Sequence, residues 1–86
     1  MTPEEKQHQI NRAILTVLAR AGSYLTPEPT LQQEVDIWLG RTQLASDFNR
    51  SLRDLEARQL ITGIEPALGG PVRWRLTDAG YSHAPH

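Results

Sequence analysis

The chain has 86 residues, 38% of them hydrophobic and 6% aromatic, no cysteine, and a formal net charge of −1. That length houses one small, mostly aliphatic core, and the lack of cysteine excludes disulfides and thiolate metal sites. The near-neutral balance argues against strong non-specific binding to nucleic acid, whose affinity comes chiefly from neutralised phosphates. No apolar run approaches membrane-spanning length, and the start MTPEEKQHQ is polar and unlike a secretory signal. A cytoplasmic protein with no membrane partner, bacterial or viral, is expected.

Thr2-Pro3-Glu4-Glu5 predicts a helix start. Thr2 caps, Pro3 suits the first helical position, and the two carboxylates sit at the positive end of the helix dipole. Ile10, Ile14, Val17, Leu18 and Ala21 then form one apolar stripe, and Gly22 stops the helix. Leu15 falls off that stripe, which marks the first helix as the surface for a homodimer. Ser23 to Pro29 reads as a connector, because Pro27 and Pro29 disfavour regular helix. Thr30 is the expected cap of a second helix, Leu31 to Leu39, with Leu31, Val35 and Leu39 inward and Trp38 either in the core or at an interface. Gly40-Arg41-Thr42 makes a short turn.

A third helix follows, with Leu44, Phe48, Leu52 and Leu55 at the helical period. After Leu60-Ile61 the period changes to two. Strands are expected near Ile61–Glu65 and Val72–Thr77, joined by the loop Pro66-Ala67-Leu68-Gly69-Gly70-Pro71. Val72, Trp74 and Leu76 share one strand face, and Arg73, Arg75 and Thr77 the other. A turn at Gly80 closes the domain at residues 1–81, leaving 82–86 as a flexible tail. Ile14, Leu18, Phe48, Leu52, Leu55, Leu60, Trp74 and Leu76 should be buried together.

Charge is unevenly placed. Residues 1–40 hold three cations against five carboxylates, whereas residues 41–75 hold six arginines against four carboxylates. With Leu44, Phe48, Leu52 and Leu55 inward, the third helix shows Gln43, Ser46, Asp47, Asn49, Arg50 and Arg53. Gln, Asn and Arg are the side chains that make paired hydrogen bonds to adenine or guanine edges. A solvated helix face would also look like this, with Arg50 or Arg53 paired to Asp47, Asp54 or Glu56. Arg73 and Arg75 could grip a sugar-phosphate backbone, or guard an edge strand against pairing with another sheet.

A helix running into a hairpin, with Leu52, Leu55, Leu60 and Ile61 followed by Leu76, Thr77 and Gly80, resembles the last helix and wing of small bacterial and phage winged helix-turn-helix regulators. The resemblance spans roughly Ile10 to Tyr81. It implies an α+β fold of three helices plus a two- or three-stranded wing, with a minimal extra strand at Tyr24-Leu25-Thr26. It also implies a sequence-specific module for double-stranded DNA, in a transcription regulator or a phage DNA-handling protein. Gln43, Ser46, Asn49, Arg50 and Arg53 would enter the major groove, and Arg41, Arg73 and Arg75 would hold phosphates, two copies reading paired half-sites. The alternative is a winged helix used only for protein–protein assembly, with a protein partner in place of DNA. His8, His83 and His86 form no ligand set, Gly69-Gly70 is no phosphate loop, and no serine has a paired base. No enzyme activity, metal or cofactor is expected.

Overall fold

The computed structural model describes residues 2–84. It is an α+β winged helix built in the order α1 (Pro3–Ala21), β1 (Thr26–Pro27), α2 (Glu28–Leu39), α3 (Ala45–Ala57), β2 (Ile61–Ile64), β3 (Arg73–Leu76) and α4 (Asp78–His83). The caps of α1 follow from its sequence. Thr2 Oγ1 accepts the Glu5 N–H at 3.1 Å, and Gly22 leaves the helix at φ +63°. Gly40 ends α2 in the left-handed region at φ +72°, a conformation glycine adopts without a side-chain penalty.

The sheet is antiparallel in the order β1-β3-β2, with Ile61 opposite Leu76, Gly63 opposite Trp74 and Thr26 opposite Trp74. The strand that carries both wing arginines is therefore central, and β1 covers it at Arg73, so protection of a free edge does not explain that arginine. α1 is the hub, packing on α2, α3, β3 and α4. Ile10, Ile14, Leu18, Leu31, Val35, Phe48, Leu52, Leu55, Leu60, Ile61, Trp74 and Leu76 form one cluster, which includes all eight residues expected to be buried together.

Several expectations are corrected. Leu15 is only 6% exposed and belongs to the core. A helix with neighbours on several sides buries more than one stripe, so Leu15 offers no dimer surface. α2 begins at Glu28, not after Thr30, and Pro29 lies inside it. A proline is tolerated in the first turn because no intrahelical bond needs its missing N–H. The minimal strand is Thr26–Pro27, one residue beyond the expected end, and it lies on the sheet edge, where proline is permitted. Leu44 is 64% exposed and precedes α3 instead of anchoring it.

The segment read as a turn is a fourth helix. Thr77 Oγ1 accepts the Gly80 N–H at 3.0 Å and donates to the Gln59 carbonyl at 2.6 Å, which caps α4 and ties it to the end of α3. Ser82 and His83 lie in α4 and Ala84 is buried in the core, so the expected tail starts too early. Pro85 and His86 lie outside the described residues.

Candidate nucleic-acid interface

Helix α3 buries Phe48, Ser51, Leu52 and Leu55 and exposes Ser46, Asn49, Arg50 and Arg53. Its inner face is pinned to α1, where Gln7 Nε2 donates to Ser51 Oγ. Asn49 and Arg50 each lie three or four residues from both Ser46 and Arg53, so the four make one continuous outer face.

The acidic residues that threatened this face are mostly spoken for. Asp47 pairs with Lys6 at 3.0 Å. Asp54 pairs with Arg58 at 3.3 Å and accepts from Asn11 Nδ2 at 3.1 Å. Both carboxylates thus turn towards cationic or amide partners, and the intrahelical pairing considered for Arg50 and Arg53 does not form. Among the described residues neither arginine has an ion pair. Lys6, Asn11 and Arg58, which hold these carboxylates, are not among the residues singled out from the sequence. Arg58 is detectable as an i, i+4 partner of Asp54, but Lys6 and Asn11 lie more than forty residues from their partners.

Two of the eight sequence candidates sit elsewhere. Gln43 is 3% exposed. Its backbone N–H is held by Asp36 Oδ1 at 3.0 Å, and its Nε2 donates to the Arg41 carbonyl at 3.0 Å. It is a structural plug in the turn before α3 and no part of the outer face. Arg41 is exposed, but its Nη2 donates to Gln9 Oε1 at 2.9 Å and so engages α1.

On the wing, Arg73 and Arg75 are exposed while Trp74 and Leu76 are buried, as the alternation of β3 requires. Their cross-strand partners are Ile64 and Thr62, so the arginines occupy the outer sheet face. The inner face of the hairpin meets α3 in a cleft of about 430 Å³. Asn49 and Arg53 share that cleft with Glu28, Glu56 and Glu65, and Trp74 Nε1 donates to Glu28 Oε1 at 3.2 Å. The outer face of α3 is therefore flanked by neutralised acids on the α1 side and by glutamates on the wing side. Between the strands, Gly69 N–H bonds the Pro66 carbonyl at 3.2 Å and holds a tight loop with Leu68 fully exposed at its tip.

Among the described residues no three His, Cys, Asp or Glu side chains gather into a metal-binding group, and no helix is long and apolar enough to cross a membrane. The pairing of His83 with His86 falls outside the described residues.

No protein-family model matches the chain, and no curated protein does. Among solved structures it is similar to a PadR-like transcription factor from Bacteroides fragilis, with a TM-score of 0.70 over 92% of this chain and 76% of that one, at 16% identity. At that identity the likeness speaks for the fold, and it agrees with the helix order and three-stranded sheet in placing this chain among winged-helix domains.

Proposed function

We propose that the domain is a sequence-specific reader of duplex DNA in a regulator or a phage DNA-handling protein. The observation that carries this reading is the outer face of α3, where Arg50 and Arg53 stand exposed without an ion pair among the described residues while Asp47 and Asp54 are held by Lys6 and Arg58. Ser46, Asn49, Arg50 and Arg53 would approach base edges in the major groove, with Arg73 and Arg75 on the backbone. The transcription-factor role of the similar structure supports it. Gln43 has no part in it, and Arg41 is assigned to α1. Reading paired half-sites calls for a second copy, through a surface that does not depend on Leu15. No catalytic step is assigned.

The test is a fluorescence titration of random and selected duplexes across salt. If only Arg73 and Arg75 neutralise phosphates, the logarithmic salt slope is about −2 per domain, and about −4 if Arg50 and Arg53 do so as well. Absence of duplex binding at low salt would end this reading. A role in protein assembly would then stand, favoured by the exposure of Tyr24, Ile37 and Trp38.

A further inference from the structure

The seam between α1 and α2 carries two adjoining clefts, of about 390 and 710 Å³, which share Arg20 and Trp38. The smaller is walled mainly by apolar groups, with Val17, Ala21, Tyr24 and Ile37 around Trp38. Tyr24, Ile37 and Trp38 are all strongly exposed, Trp38 at 51%. Scattered exposed apolar residues are ordinary, but three large ones around one cleft mark an interaction surface. Among the described residues the larger cleft is lined by Arg12, Arg20 and Arg41 and by no carboxylate side chain. Gln9, Arg12, Thr16 and Arg20 follow one another at intervals of three, four and four, so they form one line along α1. The Arg20 guanidinium lies over the Trp38 ring, 5.5 Å from its centroid. Neither Arg12 nor Arg20 has an ion pair among the described residues, and Arg41 spans the seam to Gln9.

We propose that this seam docks an acidic, apolar segment of a partner protein. Arg12 and Arg20, without an ion pair among the described residues, call for carboxylates on a chain of net charge −1, and arginine binds these in paired hydrogen bonds. Apolar side chains of the same segment would seat against Trp38, Tyr24 and Ile37, the residue types that dominate binding energy when buried at interfaces including tryptophan, tyrosine and arginine. An amphipathic helix laid along two neighbouring helices meets both demands at once. Glu34 lines the apolar cleft and repels a carboxylate there, which fixes the direction of the segment. Its acids lie at the Arg12 and Arg41 end, its apolar residues at the Tyr24 end. No residue of the outer face of α3 lines either cleft, so the proposal does not rest on DNA binding.

The test uses the full chain and a labelled helical peptide of about 15 residues, long enough to form helix in the groove. It carries leucines at i, i+3, i+4 and i+7 in one half, spaced by alanine and glutamine, and glutamates in the other half, and a twin peptide replaces every glutamate by lysine. By fluorescence anisotropy the acidic peptide should bind with a Kd of about 10–100 μM. The lysine twin should be at least about tenfold weaker, and the affinity for the acidic peptide should fall with salt. Arg12→Glu and Arg20→Glu should each weaken binding roughly three- to tenfold, and Trp38→Ala about tenfold or more. All three side chains are exposed, so circular dichroism should show the fold unchanged. Equal binding of the twin, no binding at millimolar peptide, or indifference to these substitutions would overturn the proposal. So would a parallel loss of duplex binding in Arg12→Glu and Arg20→Glu without peptide binding, which would assign the seam to nucleic acid.

Discussion

Gly80→Ala sets two effects against each other, and the structure decides which wins. Gly80 is within α4, where alanine is the better helix former by about 1 kcal/mol. A Cβ at Gly80, however, would lie 2.0 Å from the Leu60 carbonyl oxygen, 3.0 Å from Leu76 Cδ2 and 3.1 Å from the Leu60 carbonyl carbon. The nearest obstacle is backbone and cannot swing aside. Relief requires α4 to move away by about the ångström that separates this contact from an ordinary one. That movement pulls on the Thr77 N–H bond to the same Leu60 carbonyl, 3.0 Å, and on the Tyr81 hydroxyl donated to the Gly22 carbonyl at 2.8 Å. The ceiling on the cost is the docking energy of α4, since the chain can shed that helix before it unfolds. A net loss of about 2–4 kcal/mol is expected, the scale of overpacking added to lost contacts. For a domain of this size it lowers Tm by roughly 10–25 °C. Urea titration followed by far-ultraviolet circular dichroism measures it. Ala79→Gly, at the exposed neighbouring position, should cost only about 1 kcal/mol and serves as the propensity control. An alanine at position 80 that left stability equal or higher would refute the close approach of α4 to Leu60.

Leu52→Ala, deep in the core, should cost about 2–5 kcal/mol in the same assay, and a loss under 1 kcal/mol would mean that the face of α3 is wrongly phased. Gln43→Ala should cost about 1–3 kcal/mol by unmaking a buried hydrogen bond, yet leave base preference untouched; a change in preferred sequence would return Gln43 to the reading face. Arg50→Ala should cost about 1–3 kcal/mol of duplex affinity and relax preference at one base position, whereas Arg73→Ala should weaken all duplexes alike and reduce the salt slope by roughly one unit. Competition titrations with a set of duplexes at several salt concentrations separate the two, and identical behaviour of both variants would dissolve the division of labour.

What could be read from the sequence were features whose cause is local. The caps of α1, the stripe Phe48, Leu52 and Leu55, and the alternation through Val72, Trp74 and Leu76 depend on neighbours a few residues away. What escaped was set by distant partners. α3 starts two residues later than a turn ending at Thr42 implies, because Asp36 fixes the Gln43 N–H, which turns Gln43 inward and Leu44 out. α2 starts at Glu28 because β1 pairs with β3, nearly fifty residues on, and the Glu28 N–H reaches the Val72 carbonyl at 2.9 Å. α4 is a different case. The Thr77 cap of the Gly80 N–H is a local signal that was open to reading, and glycine in the helix disguised it as a turn. In the candidate site, exposure of Ser46, Asn49, Arg50 and Arg53 followed from helix phase. Neutralisation of Asp47 by Lys6 did not, because no pattern in one sequence links residues on separate helices.

Whether a chain of net charge −1 attracts duplex DNA depends on charges within about a Debye length of the phosphates, about 8 Å at physiological salt. On the α1 side of α3 the acids already have partners, so their field at the groove is largely cancelled. On the wing side it is not, since Glu56 has no ion pair among the described residues and shares a cleft with Arg53. A phosphate approaching between α3 and the hairpin meets that charge directly. At about 8 Å, with an effective dielectric between 40 and 80, one uncompensated charge opposes a phosphate by about 0.5–1 kcal/mol. Glu56→Gln should therefore tighten duplex binding roughly two- to fivefold at low salt, with the gain fading as salt rises. Asp54→Asn should gain less, because it releases Arg58 and Asn11 from a carboxylate that they already neutralise. Parallel titrations of the two variants decide the matter. A larger gain from Asp54→Asn would place the DNA on the α1 side of α3, and no gain from either would leave the cleft between α3 and the wing outside the bound interface.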